Sequence, residues 1–375
     1  MVCSACNATN ADDAMFCEAC GSSLAARQTD DTAVAPDDRS PGRPQAEFLP
    51  GEAPSHRIGQ STTVEMTVRP CVACGGAVED EYCTVCGAKQ PSPRDHYEIV
   101  HSATFAGVCD RGIQHSANQD AMSIAPGDSA FSGVLVVCDG VTSAPLSERA
   151  ALAATGAACE ALASRFSTNP TERTSEFWAA ALRASCTAAQ AETVAIARTL
   201  GDPPEPPSCT FVAAVVDAQV VHVGCCGDSR AYWLPDSGEG QILTADDSIA
   251  TQLIAAGTSR AEAESDPRAH TITRWLGADA PDPSATVATV KLNTPGWVAV
   301  VSDGMWNYAS EPVDLKATMV VGGALTPTPA ITIAKAMVAF ANEQGGADNV
   351  TVALFRFDPD QTEPPTVTGQ PPATL

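Results

Sequence analysis

Residues 133–140 read Gly-Val-Leu-Val-Val-Cys-Asp-Gly, and this stretch decides how the chain folds. An unbroken run of branched apolar residues predicts a fully buried strand, and the run stops at Asp139. A carboxylate at the end of a buried strand is costly unless positive charge lies beside it. Gly140 allows a tight turn and leaves its own carbonyl open to a ligand. We therefore expect a bound cation beside Asp139.

Two further acids occupy similar positions in the sequence. Residues 297–304 repeat the pattern as Trp-Val-Ala-Val-Val-Ser-Asp-Gly and reach Asp303, and Asp348 stands just before a predicted strand at 350–357. Acids that a fold brings together at strand ends form an all-oxygen site, which suits hard divalent ions such as Mg²⁺ or Mn²⁺. The pattern predicts a metal-dependent hydrolase whose metals are bridged by Asp139.

The composition limits the class of protein. The chain has 375 residues, of which 44% are hydrophobic, so a sizeable core is expected. A net charge of −24 argues against nucleic acid or anionic lipid as the main partner, because binding phosphate groups needs a basic patch. We find no apolar run of membrane-spanning length and no signal-peptide pattern, so the sequence predicts a cytoplasmic protein.

Eight of the 15 cysteines fall in four Cys-x-x-Cys pairs near the N-terminus. Each pair can direct two thiolates at one ion, and two pairs complete a tetrahedral zinc site. These units resemble zinc ribbons, and two structural zinc ions are expected. Disulfides and redox chemistry are the alternatives, and a reducing compartment disfavours disulfides. The predicted zinc ligands are Cys3, Cys6, Cys17 and Cys20 in the first unit and Cys71, Cys74, Cys83 and Cys86 in the second.

Composition changes divide the chain into segments. Both ribbons carry acidic residues and few basic ones, which favours docking to protein over binding DNA. A nucleic-acid-binding zinc protein is therefore the disfavoured hypothesis. The predicted segments are a ribbon at 1–22, a disordered linker at 23–69, a second ribbon at 70–90, a catalytic domain at 95–358 and a disordered tail at 359–375.

Within 95–358 the predicted strands are grouped and do not alternate strictly with helices. This order favours an α+β fold with antiparallel sheets over a doubly wound parallel sheet. The 146–166 helix is expected to bury a stripe of Leu152, Cys159 and Phe166. Predicted strands lie at 96–108, 211–216, 219–225, 231–234, 284–292, 297–302 and 350–357, and helices at 146–166, 174–200, 248–257, 259–265 and 328–344.

Residues 95–358 resemble the metal-dependent protein phosphatases of the PPM type, also called protein phosphatase 2C. The resemblance implies a four-layer αββα sandwich of two antiparallel sheets flanked by helices, with two Mn²⁺ or Mg²⁺ ions in a cleft at one end. The matching phrases occur in the family's order; they are Asp110-Arg-Gly, Asn118-Gln-Asp120-Ala, Val137-Cys-Asp139-Gly140, Gly227-Asp-Ser-Arg230, Leu243-Thr-Ala-Asp246-Asp-Ser248, Thr271-Ile-Thr-Arg-Trp-Leu-Gly277, Val301-Ser-Asp303-Gly304 and Ala347-Asp348-Asn349-Val-Thr351.

The resemblance also implies roles for single residues. Asp139 would bridge both metals, and Asp303 and Asp348 would complete the protein ligands of the first. The Gly140 carbonyl would bind the second metal, with Asp120 nearby. Asp228 would either join a third metal site, as in bacterial relatives, or be a turn residue that bonds its own backbone.

The implied chemistry is hydrolysis of phosphoserine or phosphothreonine in proteins. A water held between two divalent cations loses a proton near neutral pH and attacks phosphorus, so no phosphoenzyme is needed. The implied catalytic residues are Asp139, Asp303, Asp348 and His115. Phosphoproteins are the expected substrates, and a Ser/Thr kinase or its substrates are the expected partners.

The sequence departs from the family pattern at three positions. His115 stands where an arginine usually grips the substrate phosphate, and a histidine cannot supply a bidentate fork. The alternative is that His115 is only a loop residue and that Arg111 or another basic residue binds the phosphate. Gln119 replaces an acid, and Val141 replaces a histidine. Because the three first-metal aspartates are present, an active enzyme is favoured over a catalytically weakened phosphoprotein-binding pseudophosphatase.

Overall fold

The computed structural model describes residues 70–79, 82–88, 90–201, 203–259, 262–263, 265–320 and 328–359. The first predicted ribbon with its four cysteines, the predicted linker at 23–69 and all but the first residue of the predicted tail lie outside these ranges. Part of the helix predicted at 259–265 also lies outside them. No helix in the described part of the chain is long and apolar enough to cross a membrane.

Two antiparallel sheets form the centre of the fold. The strands in the described part of the chain are β1 (Val78–Glu79), β2 (Tyr82–Cys83), β3 (His96–Ser102), β4 (Phe105–Asp110), β5 (Ala121–Pro126), β6 (Gly133–Cys138), β7 (Ser208–Cys209), β8 (Phe211–Asp217), β9 (Val220–Cys226), β10 (Arg230–Pro235), β11 (Gln241–Ile242), β12 (Leu276–Gly277), β13 (Thr286–Lys291), β14 (Gly296–Val301) and β15 (Val350–Phe357). One sheet has six strands in the order β11-β10-β14-β15-β4-β3, and the other has five in the order β13-β9-β8-β6-β5. The predicted α+β class is therefore confirmed.

Helices cover the outer face of each sheet. The α-helices whose bounds the structure describes are α1 (Ser147–Ala163), α2 (Ser175–Thr199), α3 (Ile249–Ala255), α4 (Asp303–Trp306), α5 (Pro312–Thr318) and α6 (Ala330–Glu343). Residues of α1 and α2 pack on the five-stranded sheet, and residues of α4, α5 and α6 pack on the six-stranded sheet. A third apolar cluster lies between the two sheets. The three clusters fill the three interfaces of a four-layer αββα sandwich, which confirms the predicted architecture.

Strand β6 is the stretch quoted first above, and its residues do not alternate between apolar and polar. Val134 and Val136 pack in the cluster under the helices. Leu135 and Val137 pack in the cluster between the sheets. All six residues of β6 are buried, because both faces of this sheet are covered. Asp139 directly follows this fully buried strand.

Three details of the sequence prediction were wrong. The single strand predicted at 96–108 is a hairpin, because the chain turns between Ser102 and Phe105 to pair β3 with β4. Of the predicted stripe, Cys159 and Phe166 are buried, but Leu152 is 45% exposed. The α1 face toward the sheet is built mainly from alanines such as Ala154, and small side chains let this helix approach the sheet closely. The short helices α4 and α5 were not predicted.

Candidate active site

Three predicted acids converge because of strand pairing. Strand β14 pairs antiparallel with β15, and Val301 lies opposite Val352. The end of β14 and the start of β15 therefore meet at one edge of the six-stranded sheet, which places Asp303 near Asp348. Asp139 follows β6 of the facing sheet, and its carboxyl group lies close enough to Asp303 and Asp348 for their charges to raise its pKa. Both sheets thus contribute acids to one site.

Asp139 lies at the centre of this acidic cluster. Burial raises its pKa well above the usual range, and the charges of Asp120, Asp303, Asp348 and Asp228 raise it further. Burial likewise raises the pKa of Asp303 to about 6, and the charge of Asp348 adds to the rise. Carboxylates that repel one another in a buried site need positive charge to remain ionised together.

Asp120 lies beneath the other acids and is fully buried. Its Oδ2 accepts a 2.7 Å hydrogen bond from the Thr351 hydroxyl, but its Oδ1 has no partner. Burial raises the Asp120 pKa to about 7, and Asp348 and Asp303 add to the rise. Oδ1 of Asp303 is a second buried oxygen without a hydrogen-bond partner.

These unpartnered oxygens test whether divalent cations suit the site. Buried acceptors without donors are rare in folded proteins, and here they point into a cluster of like charges. In the described part of the chain no lysine or arginine forms an ion pair with Asp139, Asp120 or Asp303. Hard cations would satisfy both the open lone pairs and the charge, so the donor set fits Mn²⁺ or Mg²⁺.

The aspartates are spaced more widely than a closed metal cage requires. Within the described ranges no three of them bring their oxygens all within 4.8 Å of one another. Mg²⁺ usually keeps several water ligands and uses only one or two carboxylates, so this spacing is compatible with hydrated ions that share a bridging carboxylate.

Gly140 lies beside Asp139 in a short bridge to β7. The Thr210 amide donates to the Asp139 carbonyl at 2.8 Å, and the Val141 amide donates to the Ser208 carbonyl at 3.0 Å. Neither bond uses the Gly140 carbonyl, which the sequence predicted as a ligand. A Cβ atom here would lie 2.7 Å from the Gln119 carbonyl, so only glycine fits without a shift.

Asp228 lies on the other side of Asp303. It is buried, and burial raises its pKa well above the usual range, with Asp303 and Asp246 adding to the rise. The Trp306 indole donates to the Asp228 carbonyl at 2.9 Å, which fixes the turn. The structure places Asp228 close enough to the cluster for either role that the sequence left open.

The loop before β5 brings His115 to the site. His115 Nε2 lies 3.3 Å from Oδ1 of Asp348. Arg111 donates from Nη1 to the His115 carbonyl, and its Nε lies 3.7 Å from Asp95. The Arg111 guanidinium therefore supports the loop backbone, while the His115 ring lies against an acid of the cluster.

Asn349 holds this loop in place, a role that the sequence analysis did not assign. Its Oδ1 accepts from the Gln119 amide at 2.7 Å, and its Nδ2 donates to the carbonyls of Arg111 and Ala117 at 2.8 and 3.0 Å. The sequence signal that could have identified Asn349 is its position directly after Asp348, in the phrase Ala347-Asp348-Asn349-Val-Thr351 that resembles the family. One side chain thus ties the start of β15 to both ends of the His115 loop.

Gly112 makes the closest backbone approach in the site. Its φ is +74°, and a Cβ atom would lie 2.1 Å from the Asp348 carbonyl. We expect Gly112→Ala to destabilise the fold by more than about 2 kcal/mol, since both strain and a backbone clash result. Chemical denaturation would measure this, with Gly156→Ala as the control because its Cβ has open space. Equal stability of the two variants would contradict the expectation.

The second predicted ribbon forms a compact cysteine cluster. The sulfur atoms of Cys71, Cys74, Cys83 and Cys86 all lie within 4.8 Å of one another. Backbone amides of Ala73 and Val85, the residues two after Cys71 and Cys83, donate to those sulfurs at 3.3 Å each. Such N–H···S bonds stabilise thiolates, which are the form that binds zinc.

The ribbon is joined to the catalytic domain by side-chain hydrogen bonds. Gln90 accepts from the Val72 amide at 2.9 Å and donates to the Cys71 sulfur at 3.3 Å. Four residues later, Arg94 donates to the Asp120 carbonyl at 3.0 Å, and its own carbonyl accepts from Asn118 at 2.8 Å. A short segment therefore connects a predicted zinc ligand to a predicted metal residue of the acidic site.

Parts of this chain are similar to known proteins. The model of the protein phosphatase 2C family matches residues 112–329, which is more than half of the chain, and a zinc-ribbon domain model matches residues 2–24. Protein phosphatase PhpP of Streptococcus pneumoniae is 32% identical over 156 residues, covering 40% of this chain and 58% of PhpP. Serine/threonine phosphatase stp of Listeria monocytogenes is 31% identical over 150 residues, covering 40% of this chain and 56% of that protein.

The matched region thus spans less than two thirds of the length of these relatives. Among solved structures, the serine/threonine phosphatase of S. agalactiae aligns over 70% of this chain and 100% of its own, with a TM-score of 0.55. Its sequence identity is 23%, so this likeness supports the fold. The family match, the four-layer sandwich and the acids gathered at one edge of the sheets agree: the chain belongs to the protein phosphatase 2C family.

Proposed function

We propose that the chain is a metal-dependent protein serine/threonine phosphatase. One observation carries the proposal: the charges of four other aspartates act on Asp139, at the ends of two facing sheets. Without cations this cluster is costly, and with them it is a site for phosphoryl transfer to water. The curated relatives are named as phosphatases, in agreement with this proposal.

Two Mn²⁺ or Mg²⁺ ions are proposed, with Asp228 offering a position for a third. Bound ions would offset charge on the phosphoryl oxygens and lower the pKa of a water molecule toward neutrality. Asp139, Asp303 and Asp348 would hold the ions, and the Gly140 carbonyl would bind the second ion with Asp120 nearby. His115, beside Asp348, would donate a hydrogen bond to a phosphoryl oxygen of the substrate.

The cysteines of the catalytic domain argue against a thiol nucleophile. A cysteine acts as a nucleophile through its thiolate, which requires a lowered pKa and access to substrate. Burial instead raises the pKa of Cys109, Cys159 and Cys186 to about 12 each, and that of Cys225 to about 11. Attack by water on the phosphorus atom therefore remains the reaction that this site supports.

The test is hydrolysis of p-nitrophenyl phosphate and of phosphothreonine peptides by the full chain. We expect turnover that requires Mn²⁺ or Mg²⁺ and that stops when EDTA removes the ions. A second candidate function is phosphoprotein binding without turnover, favoured by His115 in place of an arginine. Peptide binding with Mn²⁺ present but no hydrolysis would support that candidate and contradict the phosphatase proposal.

The His115→Arg variant tests the proposed phosphate contact. A guanidinium offers a bidentate fork to phosphate, so we expect KM for a phosphothreonine peptide to fall by about tenfold. The control is His101→Arg, at an exposed position on the edge strand β3. Steady-state kinetics would measure both variants. An unchanged or higher KM for His115→Arg would show that another group binds the phosphate.

The ribbons are proposed as protein-docking units that each hold one structural zinc ion. On the second ribbon, Val72 and Val85 are 74% and 73% exposed, and Tyr82 is 51% exposed. Contiguous patches of exposed apolar side chains mark surfaces that contact another protein, and these three side chains are the candidates for such a patch on the ribbon. The proposed partners are phosphoproteins, including a Ser/Thr kinase or its substrates.

A further inference from the structure

A large cavity opens beside the acidic site and has no role in the proposed chemistry. Its volume is about 620 Å³, within the range of ligand-binding clefts. One wall comes from the segment around α3, including Ile254. The other comes from the end of α4 and the start of α5, including Trp306 and Glu311. Asp228 lines the cavity at its border with the acidic cluster.

Arg230 is the one lysine or arginine that lines the cavity within the described residues, and its charge is already used. Its Nη2 donates to Asp246 at 2.6 Å, and its Nε donates to the same carboxylate at 2.9 Å. Nη1 donates to the Ser310 hydroxyl at 2.8 Å, and the guanidinium stacks 3.7 Å from the Trp306 ring centre. The Arg230 and Asp246 charges therefore cancel within the wall.

Two carboxylates of the wall are left without an ion pair in the described part of the chain. Asp228 is 6% exposed, and no basic side chain pairs with it. Glu311 is exposed at the start of α5, and its side chain makes no capping hydrogen bond to that helix. Exposed Glu311 therefore places a negative charge at the mouth of the cavity that no lysine or arginine of the described wall offsets.

The rim of the same cavity is apolar. Ile242 and Ile254 are each 36% exposed there, and Trp306 forms part of the wall. An aliphatic stem could pack against this rim while a charged end group reaches the carboxylates. Lysine and arginine side chains combine these two properties. An acidic or phosphorylated side chain would instead be repelled.

We propose that this cavity binds a lysine or arginine side chain of the substrate, at a position close to the phosphorylated residue. The inference rests on the proposed phosphatase function and names a preference of that same site. It predicts that basic residues near the phosphothreonine strengthen binding, with Glu311 as the contact at the mouth of the cavity.

The test separates binding from turnover. Peptides carry a phosphonate analogue of phosphothreonine, which the chain cannot hydrolyse, with arginine, alanine or glutamate placed in turn at each nearby position. Fluorescence anisotropy gives the Kd of each peptide for the full chain with Mn²⁺. We expect arginine at one position to lower Kd by about fivefold relative to alanine, as a partly exposed ion pair would.

Two variants locate the contact. Glu311→Gln should reduce the ratio of the alanine-peptide Kd to the arginine-peptide Kd to near one, and Glu311→Lys should make the glutamate peptide the preferred ligand. Glu160→Gln, at an exposed position on α1 in the opposite helical layer, is the matched control and should keep the wild-type ratio. No arginine preference at any position, or a preference unaffected by Glu311→Gln, would overturn the proposal.

Phosphothreonine forms of the same peptides report on the proposed function separately. Turnover with Mn²⁺ but equal binding of all three peptides would leave the phosphatase proposal standing and reject the basic subsite. Absence of turnover together with arginine-dependent binding would reject the phosphatase proposal and retain the basic subsite on a binding protein.

Discussion

Replacing Asp139 with asparagine is expected to reduce Mn²⁺-dependent phosphatase activity by at least about a hundredfold. Asparagine keeps the shape of the side chain and removes the charge that would bridge the two cations. Asp139 is the residue on which the charges of the other four acids converge, so no neighbour can take its place. Steady-state hydrolysis of a phosphothreonine peptide would measure the loss.

A thermal readout separates loss of metal from loss of fold. Ligands that bind only the native state raise Tm, so Mn²⁺ should stabilise the wild-type chain and have a much smaller effect on Asp139→Asn. Without metal, the variant should be at least as stable as the wild type, because a buried charge under repulsion has been removed. Asp314→Asn, at an exposed position on α5, is the control. Near-normal turnover by Asp139→Asn would refute the metal assignment.

The second large effect is expected in the ribbon. Cys74→Ser should remove one zinc ion per chain and unfold the 70–90 segment, because zinc binding supplies about 10 kcal/mol or more to folding of such small units. Metal analysis of the purified chain would give the zinc content, and limited proteolysis would report on the ribbon.

Val85→Ala is the matched control for the ribbon. Val85 lies in the second Cys-x-x-Cys turn of the same ribbon and is 73% exposed, and its backbone amide, which the substitution leaves in place, donates to the Cys83 sulfur. Its zinc content should equal that of the wild type. If Cys74→Ser also kept the full zinc content, the four cysteines would not form the site. Loss of free thiols in the wild-type chain would support the disulfide alternative.

The sequence predicted the strands of the sandwich because their local signals agree with the tertiary structure. The final strand was predicted at 350–357 and observed as Val350–Phe357. The Thr174–Leu200 prediction also agrees with α2, whose side chain at Thr174 accepts the N-terminal capping bond from Phe177. Long runs of one periodicity, bounded by a cap or a turn residue, are specified locally.

The features that were missed depend on distant contacts. The turn between β3 and β4 is formed by Ala103 and Thr104. Neither residue is glycine or proline, so the usual sequence signal for a turn is missing. Helix α4 is only four residues long, which is too short for a periodic pattern. For α1, residue size wrongly placed Leu152 on the buried stripe beside Cys159 and Phe166, since the sheet selects small residues where a helix must approach closely.

The acidic site was predictable in part for the same reason. Strand-end positions identified Asp139, Asp303 and Asp348 from the residues alone, and the structure brings them together. The pairing of β15 with β4 creates two contacts that the sequence alone does not show. One is the hydrogen bond from the Thr351 hydroxyl to buried Asp120, and the other is the bond between Asn349 and the Gln119 amide. The metal roles of these residues and the cytoplasmic location remain predictions.

The short connection between the ribbon and the catalytic domain has a consequence for partner selection. Pro91 and Pro93 restrict the backbone between Gln90 and Arg94, and both of these side chains are anchored by hydrogen bonds. A protein captured on the ribbon would therefore be tethered at a nearly fixed distance from the acidic site. Its nearby phosphorylated residues would experience a millimolar local concentration of enzyme. Residues beyond that reach would gain nothing, so the geometry of this connection would select among phosphorylation sites on one partner.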